Sequence, residues 1–269
     1  LKNFGFDITI NTDQNNTVEY IECNGFNEKN MKLNEIESKE CSAFDSCESI
    51  EYNIEGDLSS VSYLIGWSYI NKFNLFIPNV NINSSQPDLN IVSKISKYFG
   101  DINIDSKGLH FYPFDNINTF SKAECVDSNP SNNLTLHLDL DSSDTFLTWA
   151  ILFIIEKLRN KSFNNAIIIN NIENQDFKEC SRITNFLKKI KKIGIECKEL
   201  YESIAKQSKD SITGFIIPED LVHKMIEEQY KQSSHFNLIM NTYNDHRMAM
   251  SFSLLAMVED NLIPKLLIE

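Results

Sequence analysis

Two short segments put positive charge where a helix least tolerates it. In NDHRMAMSF, starting at Asn244, His246 and Arg247 fall in the first turn of an apolar-periodic helix. A helix N-terminus already carries about half a positive charge. Two readings stand at this point: a solvated arginine, at a cost of order 0.3–1 kcal/mol, or an anion gripped jointly by the helix end and the guanidinium. The segment NIENQDFKECSRI repeats the oddity. Its Lys178 and Arg182 are spaced i and i+4, so a continuous helix would carry both on one face near its start. Like charges so placed destabilise an isolated helix, while Glu179 would point about 100° away. A charged, solvated face is the ordinary explanation for a Lys/Glu-rich helix. Yet the chain has only three arginines, Arg159, Arg182 and Arg247, and two sit in these segments. A phosphate or carboxylate ligand would resolve both oddities at once.

Other candidates have plainer explanations. Asp57, Asp144 and Asp245 each stand just before an apolar helical pattern, where a carboxylate accepts from the free N–H groups of the first turn. Asn174 is a turn residue preceding Lys178. His110, His137, His223 and His235 have no paired spacing, and Ser59, Ser60 and Ser62 have no neighbouring base.

The elements that carry these residues repeat. GDLSSVSYLIGWSYI, SDTFLTWAILFII and NDHRMAMSFSLLAM resemble one another, at intervals of roughly 90 to 100 residues, too long for the periods of solenoids. After the first two comes a β-rich run (FNLFIPNVNI; NNAIIINNI), a polar turn and a second helix. The stripes Ile91, Ile95, Phe99 and Ile183, Phe186, Leu187, Ile190 mark those second helices. Gly100 and Gly194 stand where a left-handed C′ residue is wanted. Short strands close each unit (DINI and LHFYPF; IECKEL and ITGFIIP), and the third stops after one helix and the strand KLLIE. The pattern predicts an α/β fold, helices backed by sheets, internally repeated and cut short. Glu28–Ser49 reads as a polar, acidic loop or insertion.

With 269 residues, 42% of them hydrophobic, the chain can bury a sizeable core. A net charge of −13 argues against nucleic acid or an anionic membrane as the main partner. No apolar run reaches the roughly 18–20 residues of a membrane span, and LKNFGFDITI lacks the features of a secretory signal. The missing start methionine suggests a segment of something longer. Cys23, Cys41, Cys47, Cys125, Cys180 and Cys197 show neither CxxC pairs nor metal spacing, which points to a reducing, cytoplasmic compartment and no metal centre.

The segments also match a known family. DHRMAMSFSLLAM resembles the D-H-R-M-A-M helix of EPSP synthases, and KECSR resembles their K-E-(T/C)-(D/N)-R. EGDLSSVSY, SSQPD, FGFDI and SDTFLT resemble further family segments, in family order along the whole chain. The SDTFLT and KEC wording is closest to the version embedded in the multifunctional arom polypeptide. The resemblance implies two similar domains, each of three βαβαββ units. Residues 1–55 would be the tail of the N-terminal domain with a polar insertion, and 56–269 most of the C-terminal domain, truncated at both ends. It implies addition of the 5-hydroxyl of shikimate-3-phosphate to C2 of phosphoenolpyruvate while C3 gains a proton, then loss of phosphate, with no metal or organic cofactor. Under that resemblance Asp144 is the base and a shikimate contact, Glu179 the proton donor and His246 the histidine near the transferred phosphate. Arg182 and Arg247 grip phosphoenolpyruvate, and Asn174 and Lys178 contact shikimate-3-phosphate.

This sequence also departs from the family. The Gly/Lys/Ser-rich substrate segment and a further arginine of the N-terminal domain do not occur in it, nor does the lysine of the K-T-F-P segment. Asp176 stands where relatives carry an arginine shortly before the lysine, and Pro87 replaces a glycine. The leading expectation is an EPSP synthase fragment that needs the missing N-terminal half and is inactive alone. The alternatives are a non-catalytic remnant or interaction module, and an enolpyruvyl transferase acting on a UDP-sugar.

Overall fold

In the computed structural model the chain divides into two compact units, Leu1–Glu55 and Gly56–Glu269. The structure describes residues 6–13, 18–26, 54–115, 135–140, 144–160, 163, 165–201, 212–218, 237–258, 263 and 265–269. The polar stretch Glu28–Ser49, His223, His235, Cys41, Cys47, Cys125 and the side chain of His137 lie outside the described residues. In the first unit β1 (Phe6–Thr12) pairs antiparallel with β2 (Val18–Phe26).

The second unit mixes helices and sheets. Strands β3 (Leu75–Pro78), β4 (Gly100–Asp105) and β5 (Gly108–Pro113) form an antiparallel sheet in the order β3-β5-β4. Strands β6 (Thr135–Asp139), β7 (Ala166–Asn170), β8 (Lys198–Tyr201) and β9 (Ile212–Ile217) form a second sheet in the order β6-β7-β9-β8. There β6 and β7 are parallel and the other pairs antiparallel. A parallel pair, β10 (Asn237–Met240) with β11 (Lys265–Ile268), completes the set. Parallel neighbours need a crossover, and helices supply it: α3 (Phe146–Arg159) between β6 and β7, and α5 (His246–Ala256) between β10 and β11. The remaining helices are α1 (Leu58–Asn71), α2 (Asp88–Ser96) and α4 (Arg182–Lys192). None of the described helices is long and apolar enough to cross a membrane.

Helix α3 is apolar on every face from Phe146 to Ile155, and it is buried from Phe146 to Leu158. A helix of that kind belongs in the middle of a core. Burying each large apolar side chain contributes about 1.5–3 kcal/mol. Helix α1 lies parallel to α3, since Ser62 meets Thr148 near their starts (3.1 Å) and Tyr69 meets Glu156 near their ends (2.5 Å). Against α5, α1 presents Gly66, where an added Cβ would come within 2.7 Å of Leu254. Helix α4 buries the stripe read from its sequence, Ile183, Phe186, Leu187 and Ile190, and turns Lys188, Lys191 and Lys192 outward.

Two local expectations are corrected. Gly100 is not a left-handed helix terminator: α2 ends at Ser96 and Gly100 opens β4. Glycine is needed there because a Cβ would lie 2.4 Å from the Tyr112 carbonyl oxygen. Gly194, by contrast, has the positive φ (88°) expected after α4. Lys178 and Arg182 do not share a helix face, because Glu173–Phe177 form a 3-10 turn, Lys178 is extended, and α4 begins only at Arg182.

Candidate functional site

The site gathers where α1, α3 and α5 begin. Asp57 and Asp245 do what an aspartate before a helix commonly does. Asp57 accepts from the backbone N–H groups of Ser59 and Ser60 at the start of α1, and Asp245 from those of Arg247 and Met248 at the start of α5. Asp144 does not. Helix α3 begins without a side-chain cap, and the Asp144 carboxylate turns toward other side chains. Its Oδ1 lies 3.1 Å from Arg182 Nη1, 3.5 Å from Lys178 Nζ and 3.0 Å from Gln175 Nε2, and its Oδ2 lies 3.2 Å from Arg247 Nη2. The three cations picked out by sequence therefore converge on one carboxylate, although they come from a turn and two helices. Expecting Asp144 to be an N-cap like its counterparts was incorrect. A carboxylate released from capping duty and surrounded by cations is a chemical feature of the unit.

Arg182 is the centre of the cluster, with only 1% of its side chain exposed. Its Nε donates to Asp245 Oδ2 (2.7 Å), and its Nη1 to Asp144 and to Gln175 Oε1 (2.9 Å). Its Nη2 donates to Glu179 and reaches Asp245 Oδ1 at 3.5 Å. Glu179, expected to point away, instead folds back onto the guanidinium. On its other side Glu179 Oε1 stands 3.8 Å from His246 Nδ1. Asn174 lies at the edge of the network, its Oδ1 accepting from Gln175 Nε2 at 3.2 Å. All of the predicted site residues thus fall in one neighbourhood.

Electrostatics follows from this packing. Burial alone would raise the Asp144 carboxyl pKa, but the Gln175 amide and the charges of Arg247, Lys178 and Arg182 outweigh it and hold the group below the usual carboxylate range. Asp245 is likewise held low: burial opposes ionisation, while Arg182 and the N–H groups of Arg247 and Met248 more than offset it. Burial pushes the Tyr63 phenol up, and the neighbouring Arg247 guanidinium pulls it part of the way back. Tyr63 Oη has no hydrogen bond of good geometry among the described residues, although the guanidinium is close enough to act on it. Lys178, Arg182 and Arg247 balance Asp144, Glu179 and Asp245. An anion entering here must compete with carboxylates of the protein itself.

Residues that sequence reasoning missed hold this arrangement together. Gln175, fully buried, bridges Asp144 and Arg182. Asp245, read only as a cap, also anchors Arg182. Gln86 of SSQPD fastens the start of α1, accepting from Leu58 N and donating to the Gly56 carbonyl, both at 2.9 Å. Ser59 donates to Asp88 and Ser62 joins α1 to α3, so both serine hydroxyls have structural partners. His110 lies against Phe76 and near Asp105, on the sheet. Among the described residues no three His, Cys, Asp or Glu side chains cluster so as to hold a metal ion.

The two departures from the family pattern find local explanations. Pro87 has φ −60° and ψ −30° at the start of α2, a conformation natural to proline. Asp176 caps α4 from a distance, since Ser181 in the cap position makes no side-chain cap bond. It accepts from Ile183 N (2.8 Å), Thr184 N (3.2 Å) and Thr184 Oγ1 (2.9 Å).

In this mixed α/β unit the helix starts gather cations and carboxylates around one uncapped aspartate. Comparison with known proteins makes the class definite. The pattern of EPSP synthase (3-phosphoshikimate 1-carboxyvinyltransferase) matches residues 35–266, and the chain belongs to that family of transferases. Similar curated proteins include the pentafunctional AROM polypeptide of Lachancea thermotolerans, 27% identical over 209 residues, which are 77% of this chain and 11% of that protein. The AROM polypeptide of Saccharomyces cerevisiae is 28% identical over 209 residues, 77% of this chain and 12% of its own length. That of Kluyveromyces lactis is 27% identical over 209 residues, with 77% and 11% covered. The chain thus spans about an eighth or less of the length of these relatives.

Proposed function

We propose that the chain supplies one wall of an enolpyruvyl transferase site that joins phosphoenolpyruvate to shikimate-3-phosphate. The observation that carries this reading is the convergence of Lys178, Arg182 and Arg247 on Asp144. In this reading Arg182 and Arg247 hold phosphoenolpyruvate, while Lys178 and Asn174 hold shikimate-3-phosphate. Asp144 takes the proton of the attacking 5-hydroxyl, Glu179 delivers a proton to C3, and His246 stands by the phosphate that leaves. The same attack forms the C2–O bond of a tetrahedral adduct, which then gives up a C3 proton to a carboxylate of the site and expels phosphate, restoring the C2=C3 double bond of the enol ether.

We further propose that Leu1–Glu55 is the tail of the N-terminal domain and Gly56–Glu269 most of the C-terminal domain, built from copies of a βαβαββ unit. The shared order of β3-β5-β4 and β7-β9-β8, both wholly antiparallel, supports this. So does the shared parallel sense of β6–β7 and β10–β11, each pair with a helix between. The free thiols Cys23, Cys180 and Cys197 fit a reducing, cytoplasmic setting. The capping role of Asp176 favours adaptation over a decayed remnant. Alone, the chain binds its substrates weakly and does not turn over, because its cations are already engaged by Asp144, Glu179 and Asp245.

The test is a side-chain NMR titration of the chain with excess phosphoenolpyruvate and shikimate-3-phosphate. Resonances of Lys178, Arg182 and Arg247 shift together, Arg247→Ala removes the response to phosphoenolpyruvate, and a UDP-sugar leaves the spectrum unchanged. An unaltered spectrum with both substrates, or a response confined to the UDP-sugar, rejects the assignment. Steady phosphate release from the two substrates by the chain alone would refute the claim of inactivity.

A further inference from the structure

The Asp144 carboxylate is bonded unequally at its two oxygens. Oδ1 faces Gln175 Nε2, Arg182 Nη1 and Lys178 Nζ, whereas Oδ2 faces Arg247 Nη2. Gln175 stands behind this inequality. Its amide is fully buried, so water cannot substitute for it. One end donates to Asp144 Oδ1 and Asn174 Oδ1, and the other accepts from Arg182 Nη1. A carboxamide is a neutral group that donates and accepts at one side-chain tip. Rotating it by half a turn would set its NH2 against the guanidinium and its oxygen against the carboxylate, so its orientation is fixed by both neighbours. Its backbone N–H is tied to the Ile172 carbonyl at 2.9 Å, which places the side chain from the 3-10 turn.

We infer that Gln175 is a positioning residue that pins Asp144 Oδ1 against Arg182 and leaves Oδ2 as the oxygen that receives the substrate proton. This rests on the reading of Asp144 as the base. When an anionic ligand draws Arg247 away, Oδ2 is the oxygen freed, while Oδ1 stays committed to the buried amide and guanidinium. A glutamate at position 175 would add a fourth carboxylate beside Asp144, Glu179 and Asp245. An apolar side chain would leave the buried Arg182 guanidinium and the quarter-exposed Asp144 carboxylate each short of one partner.

The experiment follows the Asp144 side-chain carboxyl by carbon NMR across acidic pH in the unliganded chain, with Asp144→Asn fixing the assignment. Lys178 of the connecting turn, Arg182 of α4 and Arg247 of α5 face it directly; behind them stand Glu179, Asp245 and His246, with Tyr63 of α1 and its cap Asp57 acting on Arg247. In Gln175→Met the Asp144 midpoint rises by about one pH unit, and Gln175→Glu raises it further, since a lost hydrogen bond and a like charge both disfavour the ionised form. A Gln175→Met chain that melts earlier but keeps the wild-type midpoint shows mere packing and overturns the inference. Should the substituted chains not fold, the wild-type Gln175 side-chain amide gives the answer. Its resonances track the Asp144 midpoint and lose that dependence in Asp144→Asn; an amide signal indifferent to Asp144 overturns the role. No substrate is present, so failure here is separable from failure of the enolpyruvyl reading, which the substrate titration tests.

Discussion

The two ends of the α1–α3 helix pair use similar side chains to opposite effect. At the C-terminal end, Arg159 Nη1 donates to the Ile70 carbonyl (3.3 Å), Lys157 Nζ to that of Phe163 (3.5 Å) and Lys72 Nζ to that of Phe114 (2.6 Å). Cations there complement the negative helix ends and satisfy carbonyl groups. The acidic partner, Glu156, is held by Tyr69 and Asn160. At the N-terminal end, Lys178, Arg182 and Arg247 oppose the helix dipole and depend on side-chain carboxylates instead. The fold explains the first set of cations by itself. The second set stands against the helix dipole and is balanced by Asp144, Glu179 and Asp245.

Removing one arginine from each end tests that contrast most strongly. Arg182→Met removes a guanidinium that is only 1% exposed and leaves the equally buried Asp245 without its ion-pair partner. Breaking such a buried pair destabilises by about 3–5 kcal/mol. Arg159→Met removes a hydrogen bond to one carbonyl and costs about 1 kcal/mol. Denaturant unfolding of the two variants measures both. Equal losses would mean that the clusters are equivalent and the comparison empty.

Acid gives a gentler perturbation, because protonation neutralises carboxylates while the guanidinium keeps its neutral acceptor, Gln175. Asp144 and Asp245 have folded-state pKa values below their ordinary ones. Between the ordinary value, about 3.9, and those lower values, the unfolded chain binds more protons, so stability rises with pH. Their contribution is complete above the ordinary range and is lost as pH falls through the folded values. The slope of unfolding free energy against pH should flatten in Asp245→Asn relative to wild type. It should stay unchanged in Tyr69→Phe, which alters the far end. An equal slope in all three chains would place the acid-sensitive groups elsewhere.

Much of this layout was legible in the sequence, and what was not had physical reasons. The apolar stripe of α4, the pair Ile91 and Ile95 of α2, and the caps Asp57 and Asp245 follow from local rules of helix geometry, whereas Phe99 lies beyond the end of α2. The meeting of Lys178, Arg182 and Arg247 was anticipated from charge in unfavourable places, but the assumed i, i+4 geometry was incorrect. The chain reaches the same result through a 3-10 turn and an extended lysine. The anchoring of Arg182 by Asp245 joins residues 63 apart, which no local pattern encodes. Gln175 carried no signal, since nothing in a polar stretch distinguishes a glutamine that the turn will fold inward. Asp144 resembled its two counterparts in sequence, and only the tertiary neighbours separate it from them.

The smallest effect concerns Asp176, where this chain departs from its relatives beside the site. Its carboxylate takes two backbone N–H groups and the Thr184 hydroxyl at the start of α4, work normally done by the residue at the cap itself. Asp176→Ala should therefore cost about 1 kcal/mol, the usual loss for a missing cap, and Asp176→Asn only a few tenths of that order. Asp176→Arg, the side chain that the family resemblance would put here, cannot accept these hydrogen bonds and adds a cation at a positive helix end, so it should cost more than alanine. Thermal melts of the three variants give the ranking. If arginine proves at least as stable as aspartate, Ser181 or water can cap α4 unaided, and Asp176 reports ancestry without function. If the predicted order holds, Asp176 fastens the start of α4 and so keeps Arg182 beside Asp144 and Asp245 at the N-terminal end of the helix pair.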